Sequence, residues 1–164
     1  MKLYISSITN LADARFFSAY GVQYFGFCFD ALDPAAITID KAKEIVSWLH
    51  EPEIIGQFGN HQDSGEIQYV HAQLPLHAVQ VNNDHPGKEI IQLPLWIAAD
   101  NKITDTQNFA EFISSVWDKY KLEEILSQKP AGIHISCSAA EIHGLSNVEY
   151  YAELMEILEP HLIQ

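Results

Sequence analysis

The chain has 164 residues, 48% of them hydrophobic, enough for one domain with a substantial core. Its 22 acidic and 9 basic residues give a formal charge of −13, a field that repels nucleic acid and anionic lipid. Arg15 is the single arginine, which excludes a site built from several bidentate guanidinium clamps. No nucleic-acid or membrane partner is expected: "MKLYISS" lacks a signal-peptide core, and no run reaches the ~20 apolar residues of a membrane span. Cys28 and Cys137 form neither a disulfide framework nor a zinc spacing. The expectation is a cytoplasmic protein with reduced thiols.

In chain order, "LYISSIT" reads as a short buried strand. "NLADARFFSAYG" reads as a helix capped by Asn10 and stopped by Gly21. "VQYFGFCF" is a second strand, apolar nearly throughout, as strands covered on both faces tend to be. After the loop "DALDPAAIT", "TIDKAKEIVSWLH" forms a helix with Ala42, Ile45, Val46 and Leu49 on one face. "EIIGQFG" at 53–59 is a strand, "SGEIQYVHAQL" a helix and "HAVQVNN" at 77–83 a strand. Residues 90–98, "IIQLPLWIA", supply a fifth strand that Pro94 bends. Strands alternating with helices across short loops imply parallel βα units.

From Thr106 to Lys129 the rhythm breaks. Phe109, Phe112, Ile113, Val116, Trp117 and Tyr120 follow helical spacing, and "KLEEILSQK" continues it. "AGIHISCS" at 131–138 is a last strand, and "NVEYYAELMEILEPHL" a closing helix capped by Asn147. No linker or low-complexity segment interrupts the chain, so residues 1–164 are read as one domain.

The opening Tyr4-Ile5-Ser6-Ser7-Ile8-Thr9, then Asn10-Leu11 and Asp13-Ala14, resembles the strand–loop–helix signature of the phosphoribosylanthranilate isomerases. So do Gly21 with "FGFCF", "IGQFGN" with Asn60, "HAVQVNN" with Gln80, and "GIHISCSAAE" followed by Gly144. The likeness covers residues 2–85 and 131–160. It implies a (β/α) barrel with its site at the strand C-termini. It also implies an Amadori rearrangement that converts N-(5-phosphoribosyl)anthranilate to the carboxyphenylamino deoxyribulose phosphate.

The departures fall where that chemistry would be carried. The family's catalytic cysteine aligns with Ser6, its second-loop arginine with Ala35, and the histidine and glycine after Gln80 with Asn82 and Asn83. A thiol has pKa ~8.5, whereas a serine hydroxyl is far less acidic and needs a base of its own. The general-acid aspartate and the paired phosphate glycines have no counterpart. Asp30, after the second strand, is the best-placed carboxylate. Asp118 would stand in only if "FISSVWD" were a strand. Ser136, Cys137, Ser138 and Gly144 mark the loop that holds phosphate through backbone amides in the resembled enzymes. Asn60, Gln80 and Asn82 complete the expected ligand site. Cys28 and Cys137 end strands flanking the first. His134 and His143 fall together near the last strand's end, but no metal site and no cofactor are expected.

A full barrel takes about 250 residues, so the expectation is an incomplete α/β barrel of about six parallel strands with two open edges. Those edges call for a homodimer, with the tryptophans and the 106–129 helix as its surface. The resulting reading is an inactive or repurposed isomerase-like protein that holds a small phosphorylated or anionic metabolite. The alternatives are an active isomerase, and an interaction module that uses the open sheet edge.

Overall fold

The computed structural model describes residues 1–50, 52–108, 110–114, 119–137 and 147–162. The elements run β1 (Lys2–Ser6), α1 (Leu11–Ala19), β2 (Tyr24–Cys28), α2 (Ile39–Val46), β3 (Glu53–Gln57), α3 (Ser64–Gln73) and β4 (Ala78–Asn82). They continue with β5 (Leu95–Ala99), β6 (Lys102–Asp105), β7 (Ala110–Ser114), α4 (Lys119–Ser127), β8 (Gly132–Ser136) and α5 (Asn147–Leu158). Asn10 caps α1 by accepting from Asp13 N, and Gly21 takes the left-handed conformation (φ 74°) that turns the chain into β2. Thr38 caps α2, and Asp63 and Glu66 form a reciprocal capping box on α3.

The barrel fold stands, but it has eight strands and it closes, β8 pairing with β1 in parallel through five residues. Closure within 164 residues depends on β6, which runs antiparallel to both β5 and β7. A parallel pair needs a crossover of a dozen residues or more, whereas antiparallel strands join through a tight turn. The Asp100-Asn101 turn, with Asp100 in the left-handed region (φ 50°), joins β5 to β6. Three strands therefore fit into residues 95–114 with no helix between them.

One expectation changes here and one element is new: the segment 109–120, read as a helix, contains β7, and "KITD", which had no assignment from sequence, is β6. Phe112 and Ile113 suit either period. Along Ala110-Glu111-Phe112-Ile113-Ser114, Phe112 is buried while Glu111 is exposed, and pairing with β6 and β8 fixes the extended form. Pro94 precedes β5 instead of bending it. Phe109, Val116 and Trp117 lie outside the described residues.

Alternation sorts the side chains into two clusters. Tyr4, Tyr24, Ile55, Ala78, Trp96, Ile103 and Phe112 fill the barrel interior. Leu3, Ile5, Ile133 and Ile135 face outward onto the helices, against Phe17, Tyr151 and Leu154. With no open edge in the sheet, the basis for edge-mediated dimerisation or an edge-docked partner is gone. Trp96 lies inside the barrel at 1% exposure and cannot contribute to such a surface.

Candidate functional site

Ser6 ends β1 at the C-terminal mouth of the barrel, buried and in register with Ser136 of β8. The neighbouring strand approaches closely there. A Cβ on Gly26 would stand 2.4 Å from the Tyr4 hydroxyl and 3.0 Å from Ser6 Cα, so only glycine fits. The chain then turns sharply at Ser7 (φ 56°). Ser7 N donates to Gln57 Oε1 at 3.0 Å, and Ile8 N donates to the Gly26 carbonyl at 3.1 Å.

The serine has a base. His134 on β8 lies in register with Tyr4 and Ser114, and its Nε2 is 2.7 Å from Ser6 Oγ. The other ring nitrogen, Nδ1, is 2.9 Å from Ser114 Oγ. The imidazole packs against the Tyr4 ring at 4.9 Å. Burial lowers its pKa to about 4, so the ring is neutral at pH 7, with one N–H and one lone pair. Ser6, His134 and Ser114 thus form one hydrogen-bonded line with a single mobile proton at each junction.

At the C-terminal ends of β2, β3 and β4 is a recess of about 170 Å³ lined by Cys28, Asp30, Asp33, Gln57, Gln80 and Asn82. Gln57 Oε1 is occupied by the Ser7 amide, which fixes the side-chain orientation, because a backbone N–H bonds only to the oxygen. Gln80 Oε1 accepts from the Tyr4 hydroxyl at 2.7 Å. Asp30 Oδ1 accepts from Leu32 N and lies 3.4 Å from His61 Nε2. Burial, with Asp33 and Asp30 adding to it, pushes the Cys28 thiol pKa up, so this thiol stays protonated at neutral pH.

Of the residues singled out in the sequence, Asp30, Gln80 and Asn82 line the recess and Ser6 adjoins it through Gln57. Asn60 instead bonds Asp84 through Nδ2 at 2.9 Å, and its Oδ1 is buried without a partner. Ser136 ends β8 beside Ser6. Cys137, expected in the ligand site, belongs to the outer core, where burial raises its pKa to about 12 and it bonds Tyr151. Ala35 is buried in the loop after β2 and donates its amide to Asp33. Ser138, Gly144, His143 and Asp118 lie outside the described residues. Among the described residues, no cluster of His, Cys, Asp or Glu could hold a metal ion. Sequence reasoning noted His134 but not its contact with Ser6, and it missed Ser114 because that segment was read as helical. No local spacing in 110–114 separates strand from helix, so the signal lies in the pairing with β6 and β8.

The strand order, the mouth-facing Ser6 and the recess can be set beside known proteins. No protein-family model matches the chain. The N-(5'-phosphoribosyl)anthranilate isomerase of Granulibacter bethesdensis is 31% identical over 99 residues, covering 56% of this chain and 46% of that protein. The phosphoribosylanthranilate isomerase of Thermus thermophilus superposes with a TM-score of 0.71 at 16% identity, over 96% of this chain and 100% of that one. By sequence and by fold, this chain resembles the phosphoribosylanthranilate isomerases. The enzyme of Pyrococcus furiosus superposes with a TM-score of 0.67 at 14% identity, over 93% and 97% of the two chains. At such identities the isomerase structures show the fold alone. The chain spans less than half the length of the Granulibacter isomerase it matches.

Proposed function

We propose that this chain is an isomerase-like barrel that has left the phosphoribosylanthranilate reaction and holds a small metabolite at the C-terminal ends of its strands. The observation that carries this reading is the direction of β6. The family resemblance implies a strand that bears a general-acid aspartate, and residues 95–114 are where the chain has no counterpart to it. In that region β6 runs backwards, and its carboxylate, Asp105, pairs with Trp96 and Ala110 at the floor of the barrel. Asp105 is 3% exposed and accepts from Gln107 N, Asn108 N and Asn108 Nδ2. It organises a turn, and the mouth lies at the other end of the strand.

The serine supports the same reading. An Amadori base must take a proton near neutral pH, which a thiolate does readily and a hydroxyl does not. The alternative, an active isomerase, draws on one specific observation, the 2.7 Å contact that gives Ser6 a base in His134. Residues 1–164 form one domain in this reading. The closed sheet leaves helices and loops, not a strand edge, as the surface for the expected homodimer. Among the described residues, no helix is long and apolar enough to cross a membrane.

The deciding experiment is growth of a tryptophan auxotroph that lacks this isomerase, transformed with the wild-type chain or with Ser6→Cys. Neither is expected to restore growth, because restoring the thiol leaves the acid missing. Rescue by the wild type would overturn the proposal.

A further inference from the structure

The lining of the mouth recess selects a class of ligand. Cys28, Gln57 and Gln80 are register partners on β2, β3 and β4, so their side chains stand in a row on one side of the sheet, each a strand spacing of ~4.8 Å from the next. Both glutamines are held by their oxygens. Gln57 Oε1 accepts from Ser7 N at 3.0 Å, and Gln80 Oε1 accepts from the Tyr4 hydroxyl at 2.7 Å. Each side chain keeps an NH₂ group, and neither NH₂ has a partner among the described residues. Both groups reach open space, since Asn60 Oδ1 is the buried side-chain polar atom left without a partner among those residues. Two fixed donors side by side call for acceptor oxygens on whatever binds there.

The loop after β2 brings two carboxylates to the same recess, Asp30 and Asp33. Each gives one oxygen to the loop backbone, Asp30 Oδ1 to Leu32 N at 2.9 Å and Asp33 Oδ1 to Ala35 N at 2.7 Å. Asp30 Oδ2 is seated so close over Gly59 that a Cβ there would overlap it. The arginine that the family resemblance places in this loop is Ala35 here, and no lysine or arginine lines the recess. The field of the carboxylates reaches the floor, where Asp33 and Asp30 add to the burial that pushes the Cys28 thiol up. A phosphate would meet two like charges and no cation, in a chain of formal charge −13. A neutral sugar would leave the carboxylates without a countercharge, and a plain diamine would leave the amide donors without an acceptor. An ammonium group with hydroxyls on neighbouring carbons answers both halves of the lining.

We propose that this recess binds a small hydroxylated amine that carries no phosphate, of the amino-sugar or amino-alcohol class. Its ammonium group lies on Asp30 and Asp33, and its hydroxyl oxygens accept from Gln57 and Gln80. The proposal rests on the placement of a ligand at the strand C-termini given above, and it names the chemistry of that ligand. It is a binding equilibrium in which no covalent bond forms or breaks.

The test is titration calorimetry of the full chain at about pH 7 and low salt, where amines of this kind carry charge. The probes are two hydroxylated amines, D-glucosamine and serinol, and their neutral counterparts, D-glucose and glycerol. Putrescine supplies charge without oxygens, and glucosamine 6-phosphate adds the anion. At least one hydroxylated amine should bind about tenfold or more tightly than its neutral counterpart and than putrescine, the scale of one charge-assisted hydrogen bond lost. The phosphate ester should bind more weakly than glucosamine, and added salt should weaken the amine. Asp33→Asn can still accept from Ala35 N and keeps the side chain's shape, so it should remain folded and lose about tenfold in affinity for the amine. Gly59→Ala displaces the Asp30 carboxylate without changing any charge and should weaken the amine as well. The probe series on the wild type decides the matter even if Gly59→Ala unfolds. Absence of binding by both hydroxylated amines would overturn the proposal, as would equal affinity for the neutral counterparts or full affinity in Asp33→Asn. Tighter binding of glucosamine 6-phosphate would overturn it while leaving a ligand at the strand ends. Rescue of the auxotroph would sink the non-isomerase reading whatever the calorimeter shows.

Discussion

Replacing His134 with glutamine should change how stability depends on pH by an amount the structure specifies. In the folded chain the imidazole is buried between Ser6 and Ser114 and stays neutral down to about pH 4, whereas in the unfolded chain it takes a proton near the ordinary 6.5. Below pH 6.5 the unfolded state therefore binds the extra proton, and stability falls with falling pH. The contribution is full above pH 6.5 and is lost progressively as the pH drops to about 4, with a total of about 3 kcal/mol. Glutamine has no such proton. Both chains carry the same carboxylates, so their titration cancels in the difference. Urea unfolding of wild type and His134→Gln, in half-unit steps from pH 7.5 to 4, should show the wild type losing about 3 kcal/mol relative to the variant. Parallel curves would refute the burial of a neutral imidazole between Ser6 and Ser114.

Other perturbations test the frame around this site. Phe112→Ala removes a ring that is 1% exposed and stacked on Trp96 at 4.8 Å. It should cost about 3–5 kcal/mol in chemical denaturation, and a loss below 1 kcal/mol would deny that these rings fill the interior. Gly26→Ala forces a methyl to within 2.4 Å of the Tyr4 hydroxyl, so it should lower the melting temperature and break the Tyr4–Gln80 bond. An unchanged melting temperature would show that β1 and β2 are not so close. Asn10→Ala removes the cap on α1 and should destabilise by about 1 kcal/mol, largely recovered in Asn10→Asp.

The local chemistry of the first half of the chain was legible because each element carries its own punctuation. Asn10 before an apolar helix, Gly21 after it, Thr38 and the Asp63/Glu66 pair set boundaries that tertiary contacts left in place. The second half was harder for a physical reason. Between Leu95 and Ser114 the chain has no helix to mark where one strand stops and the next begins, and β6 is four residues long. Phe112 and Ile113 fit a helical stripe as well as they fit a strand, and only pairing with Ile103 and Ile133 decides between the two. Asp105 illustrates the consequence for the site. Its identity says nothing about which end of the barrel it occupies, because that depends on the direction of the strand that carries it.

From the sequence alone came the alternation of strands and helices, the caps, and a serine at the end of the first strand where the resembled family has a thiol. These are set by residues within a few positions of one another, where hydrophobic period and side-chain capping act directly. The number of strands, the reversal of β6, closure of the barrel and the partners of Ser6 came from the tertiary structure. Ser6 and His134 are 128 residues apart in the chain, and Ser114 and His134 are 20 apart. Contacts at those separations are fixed by strand register around a closed sheet, a property that no local spacing encodes.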